Sequence, residues 1–208
     1  MTSTLRFAME LVPHPDPEWP GAHLEAWGTL QIVLHADGQS RMLLDWEWDL
    51  SRLAEWFAEH QAALCRAALV IAGEGPRPAE SLAQALRRFG VRDFPPEDDA
   101  AADRWGDALY NYRLRHGLVL AFRGTDMPDI VIGRNRGAGE ISYSNAGDEG
   151  ADALEEWAYQ CDLEDFCQSL RHDLRHLLAT WAASTSSEAT RIRAATLLTD
   201  LNQGEPTA

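Results

Sequence analysis

The stretch LQIVLHADGQSRMLLDWEW, residues 30 to 48, decides how this chain is read. Leu30 to His35 is a short run of β-formers, and Ala36-Asp37-Gly38 closes it with a turn dipeptide that favours positive φ. Arg41 to Trp48 then alternates, with Met42, Leu44, Trp46 and Trp48 on one face and Asp45 and Glu47 on the other. Two strands joined by Asp37-Gly38 make a hairpin. Leu5 to Val12 upstream reads as a further strand, cut off by the four prolines between Pro13 and Pro20.

Downstream the pattern changes period. Asp49 or Ser51 caps a helix predicted to run to about Ala72, with Leu50, Leu53, Trp56, Phe57, Leu64 and Ala68 at mixed helical spacings. Ala79 to Phe89 is a short helix stopped by Gly90, and Glu97 to Tyr112 a helix whose first turn is acidic. Leu118 to Arg123, Asp129 to Arg134 and Glu140 to Ser144 are read as a three-stranded meander, with turns at Gly124 to Pro128 and Asn135 to Gly139. After the loop Asn145 to Gly150 the C-terminal part is helical. Between Leu163 and Trp181, eight apolar side chains fall within about 60° of one direction, and Ser187 to Leu201 forms a last helix. Strands, helices, strands, helices in that order predict an α+β fold: one antiparallel sheet of about six strands, flanking helices and a helical C-terminal part, in a single domain spanning residues 1–208.

Composition narrows the function classes. The chain has 208 residues, 45% of them apolar, with eight Trp, which is a core-forming composition. Its formal charge is −15, from 33 acids against 18 bases, and every base is Arg. Such a charge repels phosphate, so neither nucleic acid nor an anionic lipid surface is an expected partner. No run reaches the ~18 apolar residues of a membrane span. Residues Met1 to Pro13 lack the apolar core of a signal peptide, and three cysteines, Cys65, Cys161 and Cys167, make no disulfide framework. The cytoplasm is the expected location. The absence of Lys beside abundant Ala, Arg and Gly fits the codon bias of a GC-rich bacterial genome.

Several constellations invite a chemical reading. His172 and His176 stand at i and i+4, a zinc-binding spacing. Yet they lie at about 180° and 220° from the apolar stripe of their own helix, on its solvent face, and no spacing supplies a third ligand. Phe122-Arg123-Gly124-Thr125 resembles the oxyanion-loop segment of class 3 lipases, but no serine sits in a G-x-S-x-G frame, and without a nucleophile the loop has nothing to stabilise. The run Gly133-Arg134-Asn135-Arg136-Gly137-Ala138-Gly139 offers backbone N–H groups to a phosphate, but no helix follows, and a hairpin loop with positive φ accounts for it. Cys167 is a core position, and the five residues between Cys161 and Cys167 exceed a usual zinc spacing. Asp126 and Asp129 around Pro128 are turn formers. No catalytic residue, metal ligand or cofactor is therefore assigned. The enzyme alternative, small-molecule or metal-dependent, would draw on His116 or the 172/176 pair with a distant carboxylate.

Charge distribution carries the main functional signal. Between Gly137 and Leu170 there is no base, but nine acids: Glu140, Asp148, Glu149, Asp152, Glu155, Glu156, Asp162, Glu164 and Asp165. A second cluster holds Glu97, Asp98, Asp99, Asp103 and Asp107, and a third holds Asp45, Glu47 and Asp49 beside Trp46 and Trp48. Clustered acids repel one another and destabilise the compact state. They serve solubility, or a basic partner steered in by complementary charge. In size, α+β layout, acid excess, Trp content and lack of a catalytic motif the chain resembles the immunity proteins of bacterial polymorphic-toxin systems. That resemblance lies in the character of the whole chain and maps no family site residue onto it. It implies a protein that binds and neutralises a cognate, basic toxin domain. The expected contact surface is Asp148, Glu149, Asp152, Glu155, Glu156, Asp162, Glu164 and Asp165, joined by Asp45, Trp46 and Glu47. A regulatory protein-binding module is the other non-enzymatic reading.

Overall fold

A computed structural model of the chain describes residues 4–36, 38–122, 125–144 and 155–203. In chain order the elements are β1 (Thr4–Leu11), β2 (Trp27–Ala36), β3 (Gln39–Asp49), α1 (Ser51–Arg66), α2 (Leu82–Gly90), α3 (Asp99–His116), β4 (Ile130–Asn135), β5 (Ala138–Tyr143), β6 (Trp157–Cys161), α4 (Leu163–Ser184) and α5 (Glu188–Gln203). The class is α+β with antiparallel strands and C-terminal helices. The single six-stranded sheet is a correction: the strands form two separate three-stranded sheets, β1-β2-β3 and β4-β5-β6. The chain divides into two compact units, residues 1–61 with 167–208, and residues 62–166.

In the first unit β2 pairs β1 on one side and β3 on the other. The hairpin closes at the pair Ala36–Gln39, with Gly38 at φ +77. A bulge between Ile32 and Val33 lets Leu43 slip out of register, so Leu43 and Leu44 are both buried and Met42 turns outward, 49% exposed. Strict alternation through Met42 therefore fails at one inserted residue. Asp49 is almost fully buried and accepts from the backbone N–H of Ala26 (2.9 Å) and of Ser51 (3.0 Å), fixing the step from β3 into α1. Arg193 of α5 donates to Ser51 and Glu55 of α1, and Arg171 of α4 donates twice to Gln61. The core takes Leu30, Ile32, Leu53, Phe57, Leu174 and Leu178, all fully buried.

The second unit departs further from expectation. Residues Leu118–Phe122 are a 3-10 turn, not a strand. Leu118, Ala121 and Phe122 are the buried residues, at spacings of three and one, and Leu120 N–H bonds the Gly117 carbonyl. A five-residue apolar run does not distinguish the two conformations. The third strand is instead β6, Trp157–Cys161, which alternates half-buried and exposed positions and pairs with β5 from Gly139–Cys161 to Tyr143–Trp157. Helix α1 stops at Arg66 rather than Ala72. The Arg134 side chain donates to the Cys65 carbonyl (2.5 Å), and Ala68 bridges to Arg134. The glycine-rich run is the β4–β5 hairpin, turning on Arg136 (φ +53) and Gly137 (φ +94). Helix α2 contacts β4 and β5 and builds a core of Leu82, Leu86, Phe89, Trp105 and Tyr112 with Val131. The segment Arg123-Gly124 of the lipase-like motif lies outside the described residues.

Tyr112 and His116, one helical turn apart, stack at 4.0 Å and 10° and press against Gly133 of β4. A methyl group on Gly133 would sit 2.7 Å from the Tyr112 hydroxyl and 2.9 Å from His116 Nδ1. Gly133→Ala is therefore expected to lose about 1–3 kcal/mol by overpacking. Gly90→Ala, with open space around it, is expected to cost nothing measurable or to stabilise slightly. Urea unfolding of the two variants reads the contrast.

Candidate functional site

A cleft of about 640 Å³ lies entirely within the second unit. It is built by unequal cover. On one face of the sheet, Glu140 and Ser142 of β5 reach the first turn of α2. Their register partners on β6, Gln160 and Ala158, share that face and stay exposed. The step between α2 and the bare part of β6 is the cleft. Glu80, Ser81 and Gln84 line its helix side, Ala158 and Gln160 its floor. Asn135 and Arg136 come from the hairpin, and Tyr143, Glu156 and Trp157 from the ends of the strands.

The start of α2 sets the electrostatics. Ser81 and Gln84 form a capping box. The N–H of Leu82 donates to Glu140 Oε1 (2.6 Å), that of Ala83 to Ser142 Oγ (3.1 Å) and that of Gln84 to Ser81 Oγ (3.2 Å). All three leading donors are thus taken by the chain's own oxygens, and the positive end of the helix rests on a buried carboxylate. Glu140 Oε2 accepts from Asn135 Nδ2 (2.6 Å), which also donates to the Glu80 carbonyl (2.9 Å). With both acceptors on the amide nitrogen side, the Asn135 orientation is fixed. Its Oδ1 is left buried with no hydrogen bond among the described residues. Glu80 receives two bonds from Arg88 (2.8 and 2.9 Å) and one from the Arg77 N–H, and the Arg88 guanidinium holds its carboxyl below the ordinary value.

The residues expected to meet a partner fall into different settings. Asp148, Glu149 and Asp152 lie outside the described residues. Glu155 is exposed. Glu156 is exposed but engaged: it is ion-paired with Arg87 (3.1 Å) and accepts from Gln84 (3.0 Å) and Ser144 (2.8 Å). Asp162 caps α4 by accepting from the N–H groups of Glu164 (2.8 Å) and Asp165 (3.2 Å). Glu164 and Asp165 face out in the first turn of that helix, a favourable position for negative charge. Asp45 and Glu47 are exposed on the open face of the first unit's sheet, where Glu47 accepts from Trp27 Nε1 (2.7 Å). Trp46 points to the opposite face, half-buried, its indole N–H enclosed with no partner among the described residues, so it does not join Asp45 and Glu47. Asp49, third of that cluster, is the buried capping group.

The second acid cluster gains a geometry. Asp99, Asp103 and Asp107 follow one another at four-residue steps along exposed positions of α3, with Tyr110 at 60% exposure beyond them. His172 and His176 are both exposed, as the helical wheel requires. His116 is fully buried, and its Nδ1–H donates to the Ile132 carbonyl (2.7 Å), the role of a core histidine. Burial, helped by the carboxylates of Asp162 and Glu140, pushes the Cys161 thiol up to about 11, so it is a poor nucleophile at neutral pH. Of the cleft's members, Glu80, Trp157 and Gln160 carry no motif, and Asn135 was read only as part of the glycine-rich hairpin loop. The capping box Ser81–Gln84 and the alternation in WAYQC were the signals available.

No protein-family model, curated protein or solved structure matches the chain.

Two outcomes follow from these environments. The Trp46 indole donor is already unsatisfied, whereas Trp105 Nε1 donates to the Phe89 carbonyl (3.1 Å). Trp105→Phe is expected to cost about 1 kcal/mol more than Trp46→Phe in urea unfolding, the difference of one buried hydrogen bond. For Glu80 the folded value is depressed. Its contribution is complete above the ordinary 4.5 and is lost as pH falls through the folded value. The stability gap between the wild type and Glu80→Gln should be widest at neutral pH and close below about pH 4.5, followed by urea midpoints from pH 7 to 3.

Proposed function

We propose that this chain is a non-enzymatic binding protein that captures and neutralises a basic partner domain, as the immunity proteins of bacterial toxin systems do, in the cytoplasm of its cell. One observation carries the reading: among the described residues a set of solvent-facing carboxylates stands outside any ion pair, while seven arginines are paired with other acids of the chain. Arg87, Arg88 and Arg92 pair with Glu156, Glu80 and Glu74; Arg113 pairs with Asp129; Arg193 with Glu55; Arg52 and Arg191 with acids on their own helices. Asp45, Asp99, Asp103, Asp107, Glu164 and Asp165 form no ion pair among the described residues.

A net charge of −15 costs compactness through self-repulsion, and a cationic partner recovers that cost on binding. Steering by such a field raises the association rate and leaves a salt signature. Among the described residues no helix is long and apolar enough to cross a membrane, in keeping with a surface that works in water.

The test is stopped-flow association with the toxin domain encoded beside this gene. The on-rate is expected to fall about tenfold or more between low and physiological salt, and to fall further when Asp45, Glu47, Glu164 and Asp165 are replaced by Ala together. A salt-independent on-rate, or a quadruple variant that associates like the wild type, would overturn the assignment of the acidic surface.

A further inference from the structure

We infer that the open face of the β1-β2-β3 sheet is the docking surface for the basic partner, and that it receives one cationic, amphipathic helix of that partner. This inference rests on the binding reading above and names where the contact is made. The whole surface lies within the first unit.

An antiparallel sheet with one wet face ordinarily keeps that face polar. Here Leu5, Phe7, Leu30, Ile32 and Leu44 fill the buried face. On the other face the register sets Arg6, Val33 and Met42 side by side across the three strands. Val33 is half-buried and Met42 is 49% exposed, so an apolar pair stands where polar residues belong. The bulge chooses which residue is shown. Strict alternation from Leu44 would turn Leu43 outward, but the inserted residue buries Leu43 and presents Met42 instead. Bulges re-aim side chains in this way next to functional sites. Methionine is the more adaptable of the two, and it is enriched at the centres of protein contacts.

Charge is arranged beside this pair. Glu10 on β1 and Glu47 on β3 both lie opposite Thr29 of β2, and Asp45 lies opposite Gln31. All three carboxylates are exposed and form no ion pair among the described residues. The cation on these rows is Arg6, four residues from Glu10 and so about 13 Å along the strand, beyond ion-pair reach. His35, one row further, is hydrogen-bonded to Ser40 Oγ (2.7 Å). Three acids against one arginine leave this face negative at one end and apolar at the other.

These spacings fit a helix. Glu10 and Glu47 are two strand spacings apart, about 10 Å, with uncharged Thr29 between them. That is the width of one helix. The Val33–Met42 pair lies about 13 Å from the Thr29 row, or about two and a half helical turns. A helix seated along β2 meets both features with an apolar side chain on Met42 and, two to three turns on, Arg or Lys on each flank. Phosphate surfaces are repelled by the three carboxylates. A second copy would set the same three acids against their like, which costs free energy.

The experiment uses the full-length protein and the toxin domain encoded beside this gene, followed by stopped flow and by amide and methionine-methyl shifts. Shifts are expected on Ala8, Gln31, Val33 and the Met42 methyl, and in the labelled partner along one helix. Met42→Arg, at an exposed position, should raise the dissociation rate by at least about tenfold with the urea midpoint unchanged. Ala8→Arg, also exposed, makes the same test if Met42→Arg fails to fold. Glu10→Gln with Glu47→Gln should instead lower the on-rate and flatten its salt dependence. Unchanged dissociation in both arginine variants, or shifts centred on Glu164 and Asp165 or on Asp99 to Asp107, would overturn the inference and leave the binding reading standing. A partner footprint confined to a loop or a strand would overturn the helix. Self-association of the wild type that Met42→Arg abolishes, with no domain bound, would assign the face to a second copy and overturn the partner. A wild type that does not associate with the domain and stays monomeric removes the binding reading, and this inference with it.

Discussion

One buried carboxylate organises the second unit of this molecule, residues 62–166. Glu140 sits in the middle strand of the β4-β5-β6 sheet and takes the first backbone donor of α2 on one oxygen and the Asn135 amide on the other. A charge so placed is costly unless it is fully engaged, and here it is engaged by a helix terminus and a hairpin side chain at once. The helix cannot slide along the sheet without uncovering it. Because α2 is pinned over β4 and β5, the same face of β6 stays bare, and the cleft is the geometric residue of that arrangement. Gly133 plays the complementary part on β4, where its missing side chain admits the Tyr112–His116 stack.

What could be read from residues alone follows physical scale. The β2–β3 hairpin was legible because its turn dipeptide and its alternation agree over many residues. So was α4, whose apolar stripe persists for five turns. The β4–β5 hairpin was legible through the positive-φ demand of Arg136-Gly137. Failures came where one short signal had two solutions. Leu118–Phe122 alternates on paper, yet follows a helix end capped by Gly117 and winds into a 3-10 turn. Trp157–Cys161 is only five residues long and is flanked by Glu155, Glu156 and Asp162, so its alternation was lost in a charged neighbourhood. Whether six strands make one sheet or two is decided by contacts between distant segments, and periodicity contains no such information. The bulge at Leu43 belongs to the same class.

The candidate sites show the same division. Acid-rich windows are visible in any sequence, but the fate of each acid depends on what lies across from it. Asp162 became a cap, Glu156 an ion-pair partner of Arg87, and Asp49 a buried connector, while Asp45, Glu164 and Asp165 stayed free in water. Counting charge predicts the field at long range. It does not predict which carboxylates remain to be met at contact distance, and that subtraction needs the fold. Asn135 and Trp157 illustrate the opposite case: Trp157 belongs to no chemical motif, Asn135 was legible only as a hairpin-loop residue, and both matter through what surrounds them.

The strand β6 has a second side. Among the described residues it pairs with no strand but β5, so it is an edge strand of its sheet. Such an edge invites another chain to zip on and grow into an aggregate. No proline or bulge guards it. Instead it is brief, and Glu155, Glu156 and Asp162 bracket it. Two molecules approaching edge to edge would bring matching negative charges together, which opposes pairing through the backbone.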